Sequence, residues 1–278
     1  MSTQIFGASG FIGSEMLKAY PNDYYCNESK SDLSVHGDSV LYMISTTDNY
    51  NVLTNPYIDI ETNLIHLMRV LENIKKQDYY KDVKFTFISS WFVYGDVKLP
   101  ATEESYCNPK GFYSITKRTA EQLVESYCKT FKIPYNIVRL GNVVGKSDKG
   151  VSKKKNALQY LINEMKQNNP ISLYHRGEFY RDFISIDDAV IGIDKVVNTP
   201  LNDYIFNIGS GEKVLFIDII EHARKLLNSK SNITLLDEAP KFHSTIQTKD
   251  MVLDIRKAKV LLDFHPTKNI YQIIEELI

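Results

Sequence analysis

Several features that would have narrowed the class at once are scarce in this chain. Of 278 residues, three are cysteine (Cys26, Cys107 and Cys128) and one is tryptophan. An odd number of cysteines without metal-ligand spacing excludes a disulfide framework, gives no reason to expect a metal, and fits a reduced, cytoplasmic protein. Charge of either sign is not in excess. The formal net charge of -1 argues against general nucleic-acid binding, and the Lys153-Lys154-Lys155 run is too short to change that and reads as a solvated loop. No apolar run approaches the roughly 20 residues a membrane-spanning helix needs, so no membrane partner is expected. A glycine turn begins at Gly7, and no signal peptide is expected ahead of it. Internal repeats and low-complexity segments are missing as well.

What is present is enough to build a core. Apolar residues make up 43% of the chain and aromatic residues 12%, which excludes general disorder and suits one large domain or two closely joined ones. Strand-like runs alternate with helical patterns through the first two-thirds. Gln4–Phe6 leads into a helix ending near Ala19-Tyr20, before Pro21. Tyr24–Cys26 and Val40–Ile44 read as strands, Ile60–Ile74 as a helix, and Val83–Ile88 as a strand. A long helix over Tyr113–Phe131 precedes a strand at Tyr135–Arg139. This alternation predicts a parallel sheet covered by helices on both faces. The interval between Tyr25 and Leu41 is short for a full crossover, so one element there is expected to be trimmed or missing. Beyond Gly141 the pattern loosens into helices at Asn156–Gln167 and Ile217–Leu227 and strands at Ile171–Tyr174, Tyr204–Ile208 and Ile233–Leu236, with a final helical stretch. The expected architecture is α/β: a Rossmann-type doubly wound parallel sheet with a smaller C-terminal substrate-binding domain. Residues 1–145, with 176–208 returning, would form the dinucleotide-binding domain, and 146–175 with 209–278 the smaller one.

Two stretches carry chemistry. Tyr113 and Lys117 stand four apart on one helix face. A free phenol titrates near ~10, too high for a base at neutral pH, and a nearby cation would lower that value, making the pair a proton-transfer device. Gly7-Ala-Ser9-Gly10-Phe11-Ile12-Gly13 follows a strand and opens a helix, the context a dinucleotide turn requires. Glycine lets the chain turn and approach a pyrophosphate, and the helix N-terminus offers free N–H groups and partial positive charge. Glu28, 21 residues after Gly7, is placed to bond an adenosine ribose as in NAD sites. Lys30, two residues on, could instead meet the extra phosphate of NADP. NAD is the favoured cofactor, with NADP open.

With the glycine turn, Ser89-Ser90-Trp-Phe-Val-Tyr-Gly95 and Tyr113-x-x-x-Lys117 in this order, the chain resembles the extended short-chain dehydrogenase/reductases, and within them the sugar-nucleotide epimerases and dehydratases. Further matching pieces are Thr102-Glu103-Glu104, Arg139-Leu-Gly-Asn142-Val-Val-Gly145, Arg181–Asp188 and Phe206–Gly211. The resemblance implies that Ser90 is the catalytic hydroxyl, Tyr113 the acid/base, and Lys117 the residue that holds the nicotinamide ribose and lowers the tyrosine pKa. It makes Asn63 a cofactor-side residue, and Asn142 and Arg181 holders of a substrate diphosphate, a task for which the planar guanidinium fork is suited. For Arg181 a structural salt bridge with Asp182 is the rival reading. Lys249 stands where relatives carry a second diphosphate arginine. His175 and His243 could touch a ligand, but lone histidines in such loops more often read as surface residues. Dehydratases of this family hold an Asp-Glu pair where this chain has Trp91 and Phe92. The expected activity is therefore an NAD(P)-dependent nucleotide-sugar 4-epimerase working through a 4-keto intermediate, or a 4-keto reductase. A non-catalytic NAD(P)-binding sensor or scaffold is the alternative from another class. The expected partner is a nucleotide-diphosphate sugar. The resemblance also implies a homodimer paired through Ile60–Ile74 and Tyr113–Phe131, with Leu64, Leu67, Met68, Leu71, Leu123 and Tyr127 as their apolar residues.

Overall fold

Short runs in which successive side chains are apolar supply a packed set of residues to each face of a parallel sheet. The computed structural model describes residues 2–152 and 155–278; Lys153 and Lys154 of the lysine run lie outside them, and Lys155 is exposed. The first half runs β1 (Thr3–Phe6), α1 (Phe11–Ala19), β2 (Tyr24–Tyr25), β3 (Ser39–Tyr42), α2 (Tyr57–Ile60), a π turn (Glu61–Ile65), α3 (His66–Lys75), β4 (Lys84–Ser90), α4 (Phe112–Phe131) and β5 (Tyr135–Leu140). The second half runs β6 (Asn142–Val144), α5 (Ala157–Lys166), β7 (Ile171–Leu173), β8 (Tyr180–Arg181), β9 (Phe183–Ser185), α6 (Ile186–Asn198), β10 (Tyr204–Ile208), β11 (Val214–Leu215), α7 (Phe216–Leu226), β12 (Ile233–Leu235), α8 (Lys241–Ile246), α9 (Arg256–Leu262) and α10 (Ile270–Leu277).

Six parallel strands form the main sheet in the order β10-β5-β4-β3-β1-β2. Successive residues face opposite ways. Ile5, Leu41, Ile88 and Val138 pack with Met16 of α1 and with Ala189, Ile193 and Val196 of α6. Phe6, Tyr42, Phe87 and Ile137 pack with Leu67 and Leu71 of α3 and with Ala120 and Val124 of α4. The sheet is thus covered on both faces. Between Tyr25 and Ser39 no helix or strand forms, as the short interval in the sequence anticipates. Strand β1 lies between β2 and β3, so the chain leaves it first to one side and then to the other. A crevice opens at that switch point, beyond the carboxyl ends of the strands.

Several elements differ from the sequence reading, among them the short strands β6, β8, β9 and β11, which it did not anticipate. The helix over Ile60–Ile74 is interrupted by the π turn, which carries Asn63, and α6 was not anticipated at all. Ser185 caps α6 by accepting a hydrogen bond from the Asp188 N–H at 3.0 Å. The signal was present as a serine three residues ahead of an aspartate before an apolar run. In the second half of the chain, three two-stranded pairings (β6 with β9, β7 with β12, β8 with β11) accompany a separate apolar cluster built mainly from α5, α7 and α10.

Candidate active site

A cavity of about 1460 Å³ lies along the carboxyl ends of β1, β3, β4 and β5 and extends to the C-terminal third. Gly7, Ser9, Gly10, Phe11, Ile12 and Gly13 all line it. Gly7 adopts φ +98°, and a Cβ there would come within 2.9 Å of the Met43 backbone. A Cβ on Gly13 would meet the Gly7 carbonyl oxygen at 2.5 Å, so only glycine lets α1 sit this close to the turn. Gly10 caps α1 without a side-chain hydrogen bond, and the first turn carries no acidic residue. Open helix N–H groups and uncovered positive partial charge therefore border the cavity, which suits an anionic pyrophosphate. Glu28 stands exposed beyond β2 and is not among the cavity-lining residues.

Ser90, Tyr113 and Lys117 all line the same cavity. Ser90 ends β4, and its Oγ accepts from the Phe92 N–H at 3.3 Å. Burial raises the Tyr113 phenol above its ordinary value, while interaction with the Ser90 and Ser45 hydroxyls pulls it back and Asp59 adds to the rise. Lys117 is 2% exposed. Its ammonium donates to the Ile88 carbonyl and lies 4.3 Å from the Phe87 ring centroid. Burial lowers it to about 7, with Glu121 partly offsetting. The expectation that Lys117 lowers the Tyr113 pKa is thus not met by the geometry. Lys117 is directed at β4, and burial dominates the phenol.

Asn63 is buried away from the cavity lining, and its amide is fully occupied. Its Oδ1 accepts from the Thr46 N–H (2.8 Å) and from Ser45 Oγ (3.1 Å), and its Nδ2 donates to Thr46 Oγ1 and Thr116 Oγ1, both at 2.9 Å. Asn63 therefore ties the segment after β3, including Ser45, to the turn of α4 that carries Tyr113.

At the other end of the cavity stand Asn142, Arg181 and Lys249. Asn142 Nδ2 donates to the Asp182 carbonyl at 2.9 Å. Arg181 does not pair with Asp182. That carboxylate accepts instead from Ser210 N–H and Oγ, Gly211 N–H and Leu253 N–H. The Arg181 guanidinium donates to the carbonyls of Tyr180, Thr248 and Lys249, and burial lowers it to about 10, still charged at neutral pH. Lys249 is exposed at the rim. His175 and His243 are half-buried and line the cavity rather than the outer surface. His243 Nδ1 meets the Tyr50 hydroxyl at 2.5 Å; burial lowers its pKa first, then Arg181 and His175.

Residues 34–209 match the sequence profile of the NAD dependent epimerase/dehydratase family, well over half of the chain. The protein belongs to the NAD dependent epimerase/dehydratase family. Family relatives include an uncharacterized UDP-glucose epimerase, YtcB, of Bacillus subtilis, 28% identical over 209 residues (75% of this chain, 62% of that protein). Another is a UDP-glucuronate 4-epimerase of Thermodesulfobacterium geofontis, 27% identical over 216 residues (77% of this chain, 63% of that protein). The chain thus spans less than two-thirds of these relatives' lengths. Among solved structures, the UDP-glucose 4-epimerase of Thermotoga maritima superimposes with a TM-score of 0.87 at 20% identity, covering 100% of this chain and 97% of its own. The UDP-glucuronic acid 4-epimerase of Bacillus cereus gives 0.83 at 23% identity, covering 100% and 99%. At these identities the likeness establishes the fold.

For this member of the epimerase/dehydratase family, sequence reasoning missed Ser45 beside Tyr113 and the Tyr50–His243 contact. Neither has a local signal. Ser45 and Tyr50 follow β3 in a segment without regular pattern, and their partners are remote in the chain.

Proposed function

We propose that this protein is an NAD-dependent 4-epimerase of nucleotide-diphosphate sugars. The observation that carries the reading is the meeting of Ser90 and Tyr113 in one cavity with an uncapped, glycine-built helix N-terminus. NAD fits that N-terminus because only glycine allows the turn and the first turn of α1 carries no carboxylate. Gly7, Ser9, Gly10, Phe11, Ile12 and Gly13 would hold it, with Lys117 at the ribose; Asn63 would support this side from beneath. Glu28, three residues beyond the end of β2 and exposed, would meet the adenosine ribose, as the residue after this strand does in such folds. When bound, NAD supplies a reversible hydride acceptor for the sugar carbon.

The chain's own residues do the rest. Ser90 Oγ holds the C4 oxygen. The Tyr113 hydroxyl, whose pKa burial raises and the positive charge of bound NAD would lower, takes the C4 hydroxyl proton once ionised and, after the 4-keto sugar has turned over, returns a proton to that oxygen. Asn142, Arg181 and Lys249 hold the diphosphate. Trp91 and Phe92 carry no transferable proton, so removal of the C5 proton and loss of the C6 hydroxyl are not expected. The same residues would serve a 4-keto reductase. One relative, from Escherichia coli, is a dTDP-4-dehydro-6-deoxyglucose reductase, 28% identical over 196 residues.

Proton NMR in heavy water tests the reading. A 4-hydroxy nucleotide sugar with catalytic NAD should give its C4 epimer without net NADH. Stoichiometric cofactor turnover would select the reductase. A C6 methyl with deuterium at C5 would show dehydration, and binding of NAD with no turnover across UDP, dTDP, GDP and CDP sugars would leave a sensor or scaffold.

A homodimer belongs to this proposal with altered residues. Leu67 and Leu71 are buried against the sheet. The exposed apolar side chains on the same helices and the π turn are Tyr57, Ile58, Ile60, Ile65, Phe112 and Ile115, a face that two-fold pairing would cover. Light scattering at micromolar concentration should report a dimer, and Ile58→Asp with Ile115→Asp should give a monomer.

A further inference from the structure

We infer that Trp91, the one tryptophan of the chain, is a positioning residue that sets Asn142 and Arg181 in register with Ser90 and Tyr113. The inference rests on the proposed nucleotide-sugar reading and adds a residue to it. Trp91 follows Ser90 directly and is 2% exposed. Its indole N–H donates to Asn142 Oδ1 at 3.1 Å. Indole nitrogen can only donate, so the contact fixes which end of the amide is oxygen and leaves Nδ2 for the Asp182 carbonyl at 2.9 Å. One Nδ2 hydrogen and one Oδ1 lone pair remain available to a ligand.

The ring itself serves Arg181. The guanidinium carbon lies 5.5 Å from the Trp91 centroid and 4.7 Å from that of Phe179, so the fork rests against two aromatic rings as well as on three carbonyls. Trp91 also stacks on Phe92 with centroids 3.8 Å apart, and Phe92 meets Tyr113 edge-on at 6.1 Å. One side chain thus touches two of the three candidate diphosphate residues and, through Phe92, reaches the catalytic tyrosine.

The test uses the full-length protein saturated with NAD, with UDP-glucose and dTDP-glucose as probes in calorimetry. Trp91→Phe keeps a ring over Arg181 and removes the N–H. NAD affinity should stay within about twofold, while the dissociation constant for the bound probe rises about three- to tenfold, the range for one lost hydrogen bond. In an Asn142→Ala background the same substitution should add almost nothing, because its partner is already gone. Independent, multiplying effects would show that Trp91 does not act through Asn142 and would overturn the inference. Unchanged probe binding in Trp91→Phe overturns it too, as does parallel loss of NAD binding, which marks a merely structural role. If the wild-type chain binds NAD but neither probe, the functional reading falls and takes this inference with it. A direct readout accompanies these: probe binding should change the Trp91 emission of the wild type, and an emission insensitive to a bound probe would place the tryptophan away from the ligand and overturn the assignment.

Discussion

The two ends of the cavity hold their side chains by different means. At the sheet end, Ser90 closes a seven-residue strand, Tyr113 and Lys117 ride on a 20-residue helix, and Gly10 caps α1. At the C-terminal end, Asn142 opens a three-residue strand, Arg181 ends a two-residue one, and Lys249 lies between α8 and α9. Beneath the sheet end runs a buried polar lattice in which Asn63 joins Ser45, Thr46 and Thr116. At the other end the guanidinium is held by carbonyls of the chain around it. Proton transfer needs atoms fixed within tenths of an ångström, and regular elements supply that. Recognition of a variable ligand can be left to short strands and loops.

The largest effect is expected from breaking the sheet end's anchor. Arg139 on β5 makes two bonds to Glu121 on α4, at 3.0 and 2.9 Å, and a third to the Glu103 carbonyl at 3.0 Å. The pair is fully buried, with Arg139 2% and Glu121 0% exposed. Arg139→Met leaves a buried carboxylate short of its main partner and should lower unfolding free energy by about 3 kcal/mol in denaturant titration. An ion pair of the C-terminal end, Arg176 with Asp237 at 3.4 Å, is exposed on both sides, and Arg176→Ala should cost less than about 1 kcal/mol. Equal losses would erase the distinction between the two ends.

Next in size is the chemistry of the sheet end itself. Tyr113→Phe removes the proton carrier and little else, so kcat should fall by at least about 10²-fold while NAD affinity stays nearly constant. A Tyr113→Phe variant with close to wild-type kcat would remove the tyrosine from the mechanism.

How far each end could be read in the sequence follows from the same difference. The glycine turn, Ser90 and the Tyr113–Lys117 pair are local patterns, because a helix or a strand end places residues by their spacing. Gly7 and Gly13 were legible since the backbone they require excludes any Cβ. The Arg181 surroundings were not: its carbonyl partners at Thr248 and Lys249 lie 67 and 68 positions away, and the rival reading, a salt bridge with the adjacent Asp182, was the local one. Asp182 is taken by Ser210, Gly211 and Leu253 instead. Asn63 was picked out at the sequence level but with the wrong neighbours in view, because its π turn has no signature in composition. The direction of the Tyr113 pKa was missed for a related reason, since spacing puts Lys117 on the right helix face but does not say that its ammonium is taken by Ile88.

That misreading makes a measurable pH effect of intermediate size. The folded-state pKa of Lys117, about 7, lies below the unfolded value near ~10.4. Below pH 7 both states hold the proton, and the folded state bears the full cost of a buried charge. Between roughly 7 and 10 the unfolded chain binds more protons than the folded one, so this group's contribution rises with pH, by at most about 1.4 kcal/mol per unit. Lys117→Met should therefore be more stable relative to wild type at pH 6.5 than at pH 8.5. A difference in unfolding free energy that stays flat across that range would mean the ammonium is solvated after all.

The smallest effect concerns whether the loop-built end binds the ligand or merely supports its own loops. Arg181 already spends donors on three backbone carbonyls, and those bonds would exist for purely structural reasons. A guanidinium has five N–H groups in a fixed fork, so partners for a phosphate remain, and Lys249 and His175 line the same end of the cavity. Arg181→Lys keeps the charge and loses the fork. If the residue holds a diphosphate, affinity for the nucleotide sugar should drop about tenfold, the scale of one charge-assisted hydrogen bond, with kcat changed much less than KM. If it only ties β8 to the Thr248–Lys249 backbone, melting temperature should fall while KM stays put. The first outcome sharpens the contrast, with one end reserved for chemistry and the other for grip. The second would move the diphosphate onto Asn142 and Lys249 and leave Arg181 as scaffolding.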